Sequence, residues 1–225
     1  REYLVMEGAV GRDALSLEDI LQNHLDVASE IVSEVKILPH WEKYFKGGYY
    51  PFYRKYAGGY SQRVLQTVNQ VLESDWPSVE DVSVATIRRA RKMLRILACR
   101  PPQTPKMNEL YAELDTDRKQ GLKILNALVD AGLLIFFSSD RESLKALSSP
   151  DKVFCDNPNL AYALAADADI GTARESWFVN QLRVNHEALY PKCGDVEVDG
   201  KYLFEVGGKG KGFDQIADIL DSYVV

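Results

Sequence analysis

The stretch Gly194-Asp195-Val196-Glu197-Val198-Asp199-Gly200-Lys201-Tyr202-Leu203-Phe204-Glu205-Val206, followed by Gly207-Gly208-Lys209-Gly210-Lys211-Gly212, decides how this chain is read. Its first part has the alternation of a half-buried strand pair, and Asp199-Gly200 supplies the turn. A two-residue turn would set Asp195 opposite Phe204 and Glu197 opposite Tyr202. A three-residue turn, Asp199 to Lys201, pairs Val196 with Phe204, Val198 with Tyr202 and Asp195 with Glu205. The second register matches apolar with apolar on one face and is the one expected. It also sets two carboxylates side by side on the other face.

Adjacent carboxylates repel unless a cation or a shared proton lies between them. Glu175, Asp195, Glu205 and Lys209 are therefore expected to form a catalytic constellation. Asp195 and Glu205 are its metal ligands, Glu175 supports them, and Lys209 contacts phosphate. Hard oxygen donors suit Mg²⁺ or Mn²⁺, and such a site activates water for phosphodiester cleavage. The other reading of the same residues is a solvated hairpin face carrying ordinary surface acids. The run GGKGKG is not a nucleotide loop, because Gly212 is followed by Phe213 rather than by the Lys-Ser/Thr of a P-loop. This chain has no nucleotide site by motif. His24, His40 and His186 are scattered without a Ser or Cys partner pattern, which argues against a hydrolase triad.

Working outward, Thr172 opens a helix expected to reach about Tyr190, with Trp177, Phe178, Leu182 and Leu189 as apolar surface. A last helix is expected from about Phe213 to Tyr223. Upstream, Ala85 to Cys99 has helical spacing, with Ile87, Met93, Leu94 and Leu97 on one face. Arg88, Arg89, Arg91, Lys92 and Arg95 cover the other. Pro101, Pro102 and Pro105 stop it. A short helix from Met107 to Leu114 follows, then a third from about Arg118 to Asp130, capped by the turn Asp115-Thr116-Asp117 and ended at Gly132. Leu122, Leu125, Leu128 and Val129 face inward. Leu133-Leu134-Ile135-Phe136-Phe137 and Lys152-Val153-Phe154-Cys155 read as two strands. Three helices and a two-strand wing are the order of a winged helix-turn-helix. In a DNA-binding version Arg118, Lys119 and Lys123, with Gln120 and Asn126, lie on the helix that enters the major groove. Many winged helices make protein contacts only, and Asp115, Asp117 and Asp130 dilute the positive field.

The N-terminal part reads as helical. Ser16 with Asp19 resembles a capping box, which starts a helix near Leu17 and carries it to about Ile37, where Pro39 ends the run. A second helix covers roughly Gly59 to Leu72. Between them nine of the chain's 23 aromatic residues fall within twenty positions, from Trp41 to Tyr60. They make either a stacking platform for bases or a partner, or a set of rings pinning an irregular loop onto helices.

Composition bounds the answer. The chain has 225 residues, 46% hydrophobic, with a formal net charge of -6. That excludes collagen-like and coiled-coil classes and argues against disorder. No run approaches the ~20 apolar residues of a membrane span, so no membrane partner is expected. Cys99, Cys155 and Cys193 are few and widely spaced, which fits a reducing, cytoplasmic setting. Charge is uneven: residues 1–84 carry a net -5, 85–148 a net +5, and 149–225 a net -6. A basic middle between acidic ends points to an anion-binding module, or to Lys and Arg that solvate helix faces.

Five ordered motifs carry a resemblance. They are SLEDILQNHLDVASEI (Ser16–Ile31), GGYYPFY (Gly47–Tyr53), DNPNLAYAL (Asp156–Leu164), IGTARESWFVNQL (Ile170–Leu182) and FEVGGKGK…QIADI (Phe204–Ile219). Together the chain resembles the C-terminal half of an uncharacterised prokaryotic AAA+ ATPase family that carries a winged helix and a PD-(D/E)XK nuclease-like domain. The resemblance implies a mixed α/β (α+β) chain: a helical region over 1–84, a winged helix-turn-helix over 85–156, and a PD-(D/E)XK-like α/β domain over 157–225. It implies an ATP-binding AAA ATPase core preceding Arg1, as the cytoplasmic parent of this fragment. Glu175 matches the family's helix acid, Asp195 the strand acid and Glu205 the first acid of the (D/E)XK signature. The lysine departs from the pattern: a strict spacing would put it at Gly207, whereas the first lysines are Lys209 and Lys211, which reach back only through a turn or bulge. The expected function is a nucleic-acid-interacting region of a multidomain ATPase, with double-stranded DNA as partner and a degenerate metal site. An active Mg²⁺-dependent DNA endonuclease and a non-catalytic protein-interaction or oligomerisation region are the alternatives.

Overall fold

The computed structural model describes residues 1–9, 13–56, 58–100, 107–140, 150–208 and 210–225. Pro101, Pro102, Pro105 and Lys209 lie outside them. The described residues form a mixed α/β structure, divided into two compact units, Arg1–Tyr60 and Ser61–Val225.

The first unit holds α1 (Glu2–Met6), α2 (Leu17–Glu34) and α3 (Ile37–Gly47). Ser16 caps α2 by accepting a hydrogen bond from the Asp19 amide at 3.0 Å, as its spacing predicts. Pro39 does not end the helical region. It lies in the first turn of α3, where a missing amide hydrogen costs nothing. Most of the aromatic run pairs with itself. Tyr3 packs on Tyr44 and Tyr53, Trp41 on Phe45, and Tyr50 stacks on Phe52 with centroids 5.5 Å apart. Tyr3, Phe45 and Tyr60 are buried, so these rings form the core of a small unit rather than a bare platform.

The second unit begins along α4 (Tyr60–Gln70), which passes through a π turn into α5 (Trp76–Val79). Next come α6 (Val84–Cys99), α7 (Met107–Glu113) and α8 (Arg118–Asp130). The apolar face of α6 is buried as its spacing predicts, with Ala90, Met93 and Leu94 fully inaccessible. On α8, Ile124, Leu125 and Leu128 are buried, whereas Leu122 and Val129 are half-buried. Asp117 caps α8 through the Gln120 amide, and Gly132 takes the left-handed φ of +67° that closes it. Where α7 meets α8, a Cβ on Gly121 would sit 2.2 Å from a Tyr111 ring carbon, so only glycine fits there. Strands β1 (Leu134–Phe137) and β2 (Lys152–Cys155) then pair antiparallel, with Phe137 opposite Lys152.

Helices α9 (Pro158–Leu164) and α10 (Ile170–Leu182) follow. Asn157 caps α9, and Asp169 caps α10 through the Thr172 amide at 2.7 Å. The helix expected to run to Tyr190 stops at Leu182; Ala188–Leu189 is instead β3, an edge strand paired with β4 (Val196–Val198). The hairpin of β4 and β5 (Tyr202–Glu205) has the predicted register, Val196 opposite Phe204 and Val198 opposite Tyr202. Asp199 and Gly200 both take positive φ, 55° and 61°, to turn it.

The expected terminal helix over 213–223 does not form. Residues 213–221 are mostly turns and lead into β6 (Ser222–Val224), which pairs with β5 in parallel. A parallel return needs a long crossover, and here it is built from turns around the fully buried Ile216. The sheet order β3-β4-β5-β6 makes β5 an internal strand, and all four of its residues are buried.

Candidate active site

At the β4–β5 edge five charged side chains alternate in sign. Glu175 projects from α10 and receives a 2.6 Å hydrogen bond from Lys152 Nζ. The same ammonium lies 3.4 Å from Asp195 Oδ1. Asp195 Oδ2 accepts from the Val206 amide at 2.9 Å and has Lys211 Nζ at 3.8 Å. Lys211 Nζ is in turn 2.6 Å from Glu205 Oε1. The order is Glu175, Lys152, Asp195, Lys211, Glu205, three acids interleaved with two ammonium groups.

Each position has a local cause. The hairpin has the predicted pairing of Val196 with Phe204. Asp195, just before it, donates its amide to the Phe204 carbonyl at 2.8 Å, and Lys211 Nζ lies within 3.8 Å of both Asp195 and Glu205. Glu205 is completely inaccessible, and its Oε2 accepts no hydrogen bond among the described residues. A buried carboxylate oxygen without a donor is costly. Beyond β5 the chain turns back: the Lys211 amide donates to the Gly208 carbonyl at 2.9 Å. A Cβ on Gly207 would sit 2.5 Å from Lys211 Cβ and Cγ, so glycine there lets the Lys211 stem lie against the backbone. This turn answers the spacing problem. Lys211, six positions after Glu205, occupies the place beside the acid pair, while Lys209, the expected lysine, lies outside the described residues.

Lys152 was not expected. It comes from β2, 43 positions before Asp195, and its side chain is only 8% exposed. Its ammonium also lies 5.0 Å from the centroid of the Tyr190 ring. Burial works against its charge, but Glu175 and Asp195 outweigh that and hold the ammonium above its ordinary lysine value. Burial pushes the Glu175 carboxyl up despite Lys152. The hydrogen bond to Glu205, opposed by partial burial and helped by Asp195, raises Lys211 as well. One signal for Lys152 exists in the sequence: a lysine heading the otherwise apolar Lys152-Val153-Phe154-Cys155 must bury its stem.

Among the described residues no three His, Cys, Asp or Glu side chains stand together as a ready metal cage. Asp195 and the undonated Oε2 of Glu205 still offer a pair of hard oxygens, and Mg²⁺ is commonly held by one or two carboxylates with water and phosphate completing its shell.

The expected DNA-contact residues Arg118, Lys119 and Lys123 are all exposed on α8. Lys123 is committed to an ion pair with Glu80 at 2.7 Å. Much of the basic face of α6 is also engaged. Arg89 donates to the Leu114 carbonyl, Lys92 to the Glu113 carbonyl, and Arg91 to Asn69 and Glu73. These arginines and lysines tie α6 to the end of α7 and to the turn after α4. No helix among the described residues is long and apolar enough to cross a membrane. Comparison with protein-family models, curated proteins and solved structures gave no match.

Proposed function

We propose that the Ser61–Val225 unit carries a Mg²⁺- or Mn²⁺-dependent phosphodiesterase site of the PD-(D/E)XK type, acting on DNA. The observation that carries this reading is the group Asp195, Glu205 and Lys211, with Lys211 at 2.6 Å and 3.8 Å from the two acids and Glu205 wholly buried. Asp195 and Glu205 would hold the ion, which when bound polarises a phosphodiester and acidifies water. The remaining work falls to the chain. Lys211, one-third exposed, is the cation within reach of a phosphate oxygen. The Val206 amide and Lys152 fix the orientation of Asp195. In this reading α6, α7, α8, β1 and β2 form a winged helix, and Arg118 and Lys119 supply phosphate contacts to duplex DNA. The five ordered motifs support a place for this module beside a AAA+ ATPase core.

The test is cleavage of supercoiled plasmid and of linear duplex in Mn²⁺ and Mg²⁺. Cleavage is expected with the ion, none with EDTA, and none in Asp195→Ala. Activity that persists in Asp195→Ala would sink the reading. DNA binding without cleavage under any ion would favour a docking module instead.

A further inference from the structure

The alternating row of charges has two cations of different character. Lys152 is 8% exposed and hydrogen-bonded to Glu175, on a strand locked into an antiparallel pair. Lys211 is 34% exposed and stands on a turn whose glycines leave it room. We propose that Lys152 is a built-in cation filling the space between Glu175 and Asp195, so that this site takes one divalent ion, between Asp195 and Glu205, and never a second. The inference rests on the nuclease-type reading of the same carboxylates.

The physical case is one of place and charge. Three carboxylates in one cleft could in principle serve two ions, with Asp195 bridging them, as in two-metal phosphoryl-transfer sites. The Glu175–Asp195 edge is closed to an ion here because an ammonium already lies 2.6 Å from one acid and 3.4 Å from the other. A divalent ion would need oxygen contacts of about 2.0–2.1 Å at the same spot, so ion and ammonium exclude each other. Lys152 has little room to leave: its stem is buried, and the Tyr190 ring lies 5.0 Å from its Nζ. The Asp195–Glu205 edge differs. Its ammonium is near solvent, and Glu205 Oε2 is buried with no hydrogen bond among the described residues. Lys211 can swing toward phosphate while an ion takes the acids. Lys152 is thus a positioning residue, neutralising Glu175 and aiming Asp195, and Glu175 is not a metal ligand in the wild type.

The experiment is a Mn²⁺ titration of the full chain, read by electron paramagnetic resonance of free Mn²⁺ and by calorimetry, with circular dichroism of each variant. The wild type should bind one Mn²⁺. Glu175→Gln should still bind one with affinity changed less than about threefold. Lys152→Met should bind two, because the Glu175–Asp195 edge opens, whereas Lys152→Arg should keep one. Two Mn²⁺ on the wild type, or more than a tenfold affinity loss in Glu175→Gln, overturns the inference without harming the nuclease-type reading. If Lys152→Met does not fold, the wild-type and Glu175→Gln stoichiometries still decide. No Mn²⁺ on the wild type but one on Lys152→Met overturns both the one-ion inference and the nuclease-type reading. No Mn²⁺ on either overturns both.

Discussion

Lys211 Nζ lies 2.6 Å from Glu205 Oε1, although a lysine six residues beyond a strand that kept straight would be far past it. At about 3.3 Å per residue an extended chain would carry it roughly 20 Å away. The contact exists because the chain turns back between Gly208 and Lys211, where the Lys211 amide donates to the Gly208 carbonyl at 2.9 Å.

Gly207→Ala should therefore separate the two groups. The added Cβ meets the Lys211 stem at 2.5 Å. The variant should stay folded by circular dichroism and lose about 10²-fold or more in DNA cleavage, a loss typical of removing one preorganised charge donor. Lys211→Ala should match it within about threefold. Full activity in Gly207→Ala would show that Lys211 works from elsewhere.

Glu205→Gln should lose function without losing stability. A carboxylate that is completely inaccessible, with one oxygen undonated among the described residues, is expensive to bury. Its removal leaves Lys211 near enough to solvent to hydrate. Urea unfolding should show the variant no less stable than the wild type, because the one-third exposed Lys211 ammonium hydrates once its partner is gone, with Mn²⁺ binding abolished. A marked loss of stability would mean that the Glu205–Lys211 pair stabilises the fold.

The hairpin turn gives a pH prediction. Asp199 receives a hydrogen bond from the Glu187 amide and pairs with His186 at 2.7 Å. The His186 bond, opposed by slight burial and joined by the amide, lowers its carboxyl below the ordinary 3.8. A depressed carboxyl stabilises the fold at pH above its unfolded value and loses that contribution as pH falls through its folded value. The stability gap between wild type and Asp199→Asn should thus shrink as pH falls below 3.8. Thermal melts across that range measure it, and a gap that widens on acidification contradicts the assignment.

Gly121→Ala tests the helical part. A Cβ 2.2 Å from the Tyr111 ring forces α7 from α8, and overpacking of this kind costs about 1–3 kcal/mol. Urea midpoints of wild type and variant give the value. A variant as stable as wild type would mean that Tyr111 moves aside freely.

For DNA, Arg118→Ala with Lys119→Ala should weaken duplex affinity at low salt. It should also reduce the slope of log K against log salt by roughly 2, close to one per phosphate contact. Lys123→Ala should do less, because Glu80 already holds that ammonium. Equal effects from all three would place Lys123 on the DNA and break its pair with Glu80.

Local rules made much of this legible. The hairpin register followed from matching Val196 and Val198 to Phe204 and Tyr202. Ser16 and Asp117 announced their helices because a cap is a contact three residues long. Glu175, Asp195 and Glu205 came out together for the same reason: two of them share a hairpin. What was hidden depended on distant partners. The residues around Ile216 have helical spacing, yet pairing of β6 with β5 won over local propensity. Ala188 and Leu189 were taken by β4 in the same way. Lys152 offered only its place at the head of an apolar strand, and its role arises where β2 passes Glu175 and Asp195.

Strand β2 has one more consequence, for anyone dividing this chain into smaller pieces. A cut after Asp156 would keep Glu175, Asp195, Glu205 and Lys211 but discard the ammonium that separates the first two. The excised piece would hold two adjacent acids with nothing between them, and its ion affinity and pH response would belong to the cut rather than to the protein.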